Sequence, residues 1–264
     1  MRSRSLTHAA YAAMTLLLLT LLTAGGAQAA TIHGGKTTAT ATARGYDISF
    51  PQCGSAYPTK PAFGIVGVNK GIVFSVNPCL ASQITWAGGT RAQLYANTGN
   101  PGPALSSHWP AGQQAPRVCD AANPDTAACA YDYGWNAAKD SYADAAAAWA
   151  ALHLTGSPAA SAWWLDVETS NSWRTATALN VAALQGEVAG LQAKGVARIG
   201  IYSTGYQWGV ITGSSKAFAA NPSWIAGASS LKNAQSRCSN AAFTGGTIAL
   251  VQYPYRGFDG DVAC

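Results

Sequence analysis

Past residue 44 the chain alternates between two periodicities. Short runs in which apolar residues dominate or alternate, at residues 45–50, 63–69, 92–97, 162–168, 198–203, 224–227 and 247–253, read as β-strands, with a last short one at 257–262. Helical spacing fills several gaps. Val181, Leu184, Val188 and Leu191 recur at intervals of three and four across 180–194, with Asn180 placed to cap the start and Gly195 to end the helix. Trp135, Ala138, Tyr142, Ala145, Trp149 and Leu152 mark a second helix, stopped before Gly156 and Pro158. Glu187 falls off the first apolar stripe and is assigned to the helix surface.

Strands that alternate with helices build parallel sheets with crossover connections. Seven or eight strands in about 220 residues predict an α/β fold, either a full (β/α) TIM-type barrel or one with some helices missing. An open doubly wound sheet is the alternative. Either architecture gathers functional side chains at the carboxyl ends of its strands. Residues 105–131, with several prolines and the close pair Cys119 and Cys129, read as a long surface loop at the mouth of the site.

The beginning of the chain has a different character. Arg2 and Arg4, an apolar run from Met14 to Leu22, and Ala27-Gln28-Ala29 form the pattern of a secretory signal peptide, 1–29. The run is too short to span a bilayer, so no membrane association is expected after cleavage. Residues 30–44, rich in Thr, Ala and Gly, read as a flexible leader, and 45–264 as one folded domain. Without the two leader arginines the formal charge falls from 16 − 11 = +5 to 14 − 11 = +3. The cations are scattered, which argues against a nucleic-acid partner and allows weak attraction to an anionic surface. Six cysteines follow the cleavage site, an even number suited to an oxidising extracellular compartment. They allow 15 pairings, of which sequential pairing is favoured here. No Cys-x-x-Cys pair occurs and the histidines are isolated, so no metal site is expected.

Acidic residues are scarce, and their placement is informative. Asp166 and Glu168 end the apolar run Ala162-Trp163-Trp164-Leu165, two apart and therefore on one face of a strand. Burial and mutual repulsion in such a pair keep one carboxyl protonated near neutrality, as general acid catalysis requires. Asp47 lies in the opening strand, and Asp259 and Asp261 lie in the closing one. In a closed barrel those strands are neighbours, which brings their acids to the same mouth. Tyr95 and Asn97 repeat the two-apart spacing on the third strand. A nucleophile elbow and a phosphate-binding loop are both excluded: 200–205 is one residue too long for the first, and 98–102 lacks the lysine of the second.

Taken in order, Asp47-Ile48-Ser49-x-x-Gln52, Leu165-Asp166-Val167-Glu168, Gly200-Ile201-Tyr202, Trp224-Ile225-Ala226, Gln252-Tyr253 and Phe258-Asp259-x-Asp261 resemble glycoside hydrolase family 25 across nearly the whole domain. The resemblance implies a lysozyme-like muramidase, a barrel that hydrolyses the β-1,4 bond between N-acetylmuramic acid and N-acetylglucosamine in peptidoglycan without metal or cofactor. It casts Glu168 as the acid and Asp166 as the group that stabilises charge at the sugar, through the substrate's own acetamido group. Asp47 and Asp259 would complete an acidic floor, and Tyr202 and Gln252 would contact the sugar. The third strand departs from the family's usual aromatic-His-aromatic pattern, and Tyr95 and Asn97 stand in for the missing contacts. Val251 replaces a usual Trp, and Asp261 a usual Asn. The partner expected is a polysaccharide, acted on by a secreted monomer. A catalytically silent barrel that binds wall glycan or a protein is the alternative.

Overall fold

The computed structural model describes residues 43–59 and 61–264. The expected signal peptide and most of the leader lie outside them. Every expected strand is present: β1 (Arg44–Ile48), β2 (Gly64–Gly67), β3 (Gln93–Asn97), β4 (Ala162–Asp166), β5 (Arg198–Ser203), β6 (Ser223–Ile225), β7 (Ile248–Tyr255) and β8 (Phe258–Ala263). They close into a barrel in chain order. Strands β1 to β7 run parallel.

The last strand refines the TIM-type expectation. β8 is antiparallel to both β7 and β1, so a hairpin strand completes the ring. The β7–β8 connection is two residues long, and both Arg256 (φ 50°) and Gly257 (φ 83°) take the left-handed conformation that a tight hairpin turn demands.

Among the described residues five α-helices pack outside: α1 (Leu80–Trp86), α2 (Ala127–Ala151), α3 (Thr177–Ala193), α4 (Gly205–Thr212) and α5 (Leu231–Arg237). Each follows one of the strands β2 to β6, and no α-helix separates β1 from β2 or β7 from β8 among the described residues. None of the described helices is long and apolar enough to cross a membrane.

The larger core lies between strands and helices. Leu94, Trp163, Leu165, Ile199 and Ile201 from the outward strand faces meet Leu80, Ile84, Ala145, Trp149, Leu184, Leu191 and Trp208 from the helices, all buried. The alternate strand residues fill the barrel, where Ile65, Trp164, Trp224 and Leu250 form a separate cluster. Glycine makes room for the rings inside: a Cβ on Gly200 would overlap the Trp164 ring, and one on Gly67 would overlap Tyr95. Three disulfides join Cys53 to Cys79, Cys119 to Cys129 and Cys238 to Cys264, the sequential pairing.

Two details of the helices correct the sequence reading. α2 begins at Ala127, not near Trp135, because Thr126 accepts a hydrogen bond from the Cys129 N–H at 3.2 Å and caps the helix inside the expected loop. α3 begins at Thr177, three residues before Asn180. Asn180 is therefore not the cap but a buried tie: it accepts from Asn100 Nδ2 and donates to the carbonyls of Arg174 and Ile211.

Glu187 is also corrected, from helix surface to interior, with 1% of its area exposed. α3 carries a second buried face made of Ala182, Ala183, Gly186 and Gly190 against α2. A Cβ on Gly186 would strike the Tyr131 carbonyl, so the helix axes approach too closely to leave Glu187 outside. Burial holds its carboxyl well above the usual range, and the Gly99 N–H beneath the β3 loop partly offsets this.

Candidate active site

Every residue singled out in the sequence as a site candidate stands at the carboxyl end of the barrel. Asp47, Tyr95, Asp166, Glu168, Tyr202, Gln252 and Asp259 line one cavity of about 140 Å3, with Trp224 as a further wall. Asn97 stands beside it, bonded to Asp166. The register explains the convergence. Asn97 pairs with Asp166, Asp166 with Tyr202, and Asp47 with Asp259, so residues distant in sequence share a level of the barrel.

Asp166 is the last residue of β4 and is 5% exposed. Its Oδ2 accepts from Asn97 Nδ2 at 2.6 Å, and its carbonyl accepts from the Thr98 hydroxyl at 2.6 Å. Its Oδ1 is buried and has no hydrogen-bond partner. Burial raises its pKa well above the carboxylate range, Glu168 and Asp47 add repulsion, and Asn97 opposes the shift.

Glu168 sits two residues beyond, just past the strand and half-buried. The turn that follows holds its backbone: its carbonyl accepts from the Trp173 indole at 2.8 Å and from the Asn171 N–H at 3.1 Å. Burial raises its pKa, and the nearby Gln207 side chain pulls it down. A carboxyl raised by burial yet open to a cavity keeps its proton to higher pH than a free glutamate and can deliver it to a bound oxygen.

The opposite wall forms a chain of polar contacts. Tyr202 Oη donates to Gln252 Oε1 at 2.8 Å, and Gln252 Nε2 donates to Asp47 Oδ2 at 3.0 Å. Asp47 is pushed up to about 7, by burial first and by Asp259 second. Asp261, fully buried, accepts from the Trp224 indole at 2.8 Å, while its Oδ2 has no partner outside the Asp47 carboxyl that faces it. Burial first and Asp47 second hold Asp261 well above the usual range.

Sequence reasoning brought Asp261 to the same mouth as Asp259, but it lies buried behind the cavity rather than lining it. Its spacing of two from Asp259 carried the signal, since that spacing puts both on one face of β8. Gln207 was missed. Thr204-x-x-Gln207 opens α4 as a side-chain cap, with the Gln207 N–H on Thr204 Oγ1 at 3.1 Å, and that pattern was available.

Residues 136–244 match the family model of lysozyme-like protein 1. The match holds Asp166, Glu168 and Tyr202 and stops before Gln252 and Asp259. The complete barrel is similar to two solved muramidases. One, from Trichobolus zukalii, is 21% identical with a TM-score of 0.51, covering 84% of this chain and 93% of that one. The other, from Acremonium alcalophilum, is 20% identical at the same score and coverage. The chain has a lysozyme-like fold. A third likeness, TM-score 0.52 and 12% identity, is to the modular autolysin LytC from Streptococcus pneumoniae, solved in complex with a synthetic peptidoglycan ligand; it covers 84% of this chain and 46% of that one. No curated protein matches the sequence. The barrel agrees with the fold that the resemblance to glycoside hydrolase family 25 implies.

Proposed function

We propose that the protein is a secreted muramidase that hydrolyses the β-1,4 bond between N-acetylmuramic acid and N-acetylglucosamine in peptidoglycan. The observation that carries this reading is the single cavity in which Glu168 and Asp166 face Asp47 and Asp259. Glu168 protonates the glycosidic oxygen as the bond to it breaks. Asp166 meets the positive charge that develops at the sugar and orients the substrate's own acetamido group for attack. Asn97 positions Asp166 from the side. Asp47, Gln252 and Tyr202 form one hydrogen-bonded rail against the ring, with Tyr95 and Asp259 completing the wall. Three disulfides among the described residues suit an oxidising extracellular setting.

The test is incubation of the purified mature protein, and of Glu168→Gln, with purified peptidoglycan, followed by mass spectrometry of new reducing ends. Glutamine keeps the shape but has no proton to deliver. New N-acetylmuramic acid ends from the wild type alone support both the reaction and its acid. Intact binding without products from several wall types would indicate a silent barrel.

A further inference from the structure

One fully buried carboxyl has no part in the proposed reaction. Glu187 is one of only two glutamates in the chain, the other being Glu168. The close approach of α2 and α3 directs its side chain. A Cβ on Gly134 would strike the Ala183 carbonyl and come within 3.1 Å of the Glu187 Cγ, so the stem lies pressed between the helices. Its carboxyl meets the Gly99 N–H in the turn after β3.

That turn, 98–100, is buried throughout and holds the backbone of Asp166. The Thr98 hydroxyl and N–H both donate to the Asp166 carbonyl, at 2.6 and 3.2 Å, and Asn97, one residue earlier, donates to its Oδ2. The far end of the turn is anchored as well. The Asn100 N–H donates to the Ser172 carbonyl at 2.7 Å, and its side chain donates to Asn180 Oδ1 at 3.1 Å. Asn180 and Glu187 lie seven positions apart on α3, about two helical turns, and therefore on one face. α3 grips the turn at two points, Asn180 at Asn100 and Glu187 at Gly99.

An apolar side chain would fill the same space without the cost of burying a carboxyl. Among the described residues, Glu187 Oε1 and Asn100 Oδ1 are buried oxygens without a hydrogen-bond partner. Both only accept while Glu187 is ionised, whereas a proton on Glu187 brings a donor beneath the turn. Burial favours that neutral form. The titratable groups that face it, Asp166 from β4 and Tyr133 from α2, bring no positive charge to oppose it.

We propose that Glu187 is a positioning residue for Asp166, acting through the Thr98–Asn100 turn rather than by touching substrate. The proposal rests on the reading of Asp166 as the group that meets the charge at the sugar, and adds what keeps that group in place.

Two variants separate this role from packing. Glu187→Gln keeps the shape and the acceptor for Gly99 and supplies N–H donors, while Glu187→Leu keeps the bulk and has neither. On soluble glycan fragments, Glu187→Leu is expected to lower kcat by about tenfold or more with little change in KM, and Glu187→Gln to recover most of that loss. A leucine variant that melts earlier but keeps its kcat, or a glutamine variant that folds yet is as slow as the leucine one, overturns the proposal. Should Glu187→Leu not fold, Glu187→Met takes its place, since its flexible chain fills irregular space.

A spectroscopic arm is independent of turnover. The side-chain amide of Asn97, bonded to Asp166, is followed by heteronuclear NMR in each protein. Its signal should shift in Glu187→Leu and stay in place in Glu187→Gln, and an unmoved signal in the leucine variant overturns the proposal whatever the activity. With carboxyl-labelled glutamate in a Glu168→Gln background, the one remaining glutamate signal belongs to Glu187. It should stay at its protonated position where free glutamate has ionised, and a signal that titrates as free glutamate does overturns the proposal. A shifted Asn97 signal in a protein whose wild type shows no turnover supports the positioning of Asp166 and overturns the proposed reaction instead.

Discussion

Asn97 donates its side-chain amide to Asp166 across the β3–β4 register, and the two residues are paired directly in the ladder. The bond engages Oδ2 of Asp166 and leaves Oδ1 buried without a partner. Asn97→Ala removes the tie and leaves the buried carboxyl with less support. The expected result is a fall in kcat of about tenfold or more with little change in KM, since a hydrogen bond to a buried carboxyl is lost at the stage where charge develops. Steady-state kinetics on soluble glycan fragments checks this, and an unchanged kcat would remove Asn97 from the machinery.

The facing carboxyls of Asp47 and Asp261 bear on stability. Asp261 is fully buried between Asp47, Asp259, Gln252 and the Trp224 indole, and its folded pKa lies well above that of the unfolded chain. A raised pKa stabilises the fold fully below the unfolded value, near 4, and this contribution is lost as pH rises through the folded value. Asp261→Asn retains an acceptor for Trp224 and supplies an N–H to Asp47 without a titrating proton. Its melting temperature relative to wild type should therefore rise progressively from pH 4 to pH 8. A difference that stays flat over that range would show that Asp261 binds no extra proton in the fold.

The activity profile follows from Glu168. Burial raises its pKa, so the protonated fraction that can act as an acid persists toward neutrality and falls as pH climbs through the raised value. Gln207 holds that pKa down. Its Oε1 is engaged by the Thr169 N–H at 2.6 Å, which leaves the amide N–H2 group for the carboxylate. Gln207→Ala should move the alkaline limb of kcat/KM to higher pH, and a limb that stays in place or moves down would contradict this assignment.

Gly186 sits where α3 touches α2. Adding a methyl group there would normally strengthen a helix by up to about 1 kcal/mol, but the new Cβ meets the Tyr131 carbonyl and the Trp135 backbone. Gly186→Ala is expected to destabilise the protein by about 1–3 kcal/mol through overpacking, measured by chemical denaturation. A stabilised variant would mean that the helices can separate freely.

The barrel was legible because its strands announce themselves. Apolar runs such as Ala162-Trp163-Trp164-Leu165 are interrupted by acids only at their carboxyl ends, and that interruption located Asp166 and Glu168. The hairpin strand was less legible in direction: 257–262 reads as a strand either way, and only the two-residue turn at Arg256 and Gly257 distinguishes antiparallel from parallel. The misplaced Glu187 has a different origin. A search for large apolar residues finds the face of α3 that packs on the sheet and overlooks the face of glycine and alanine, which is buried by close approach of a neighbouring helix. Asn180 was misjudged because cap-forming residues also serve as buried cross-links, and sequence position alone does not separate the two uses.

The hairpin closure also sets an order of events during synthesis. β1 has its partner β2 early, but its other edge is covered only by β8, which leaves the ribosome after all seven other strands, and the Cys238–Cys264 link forms later still. A chain of this kind keeps an open edge on β1 until its eighth strand has been made, so closure of the ring is the longest-range pairing in the fold.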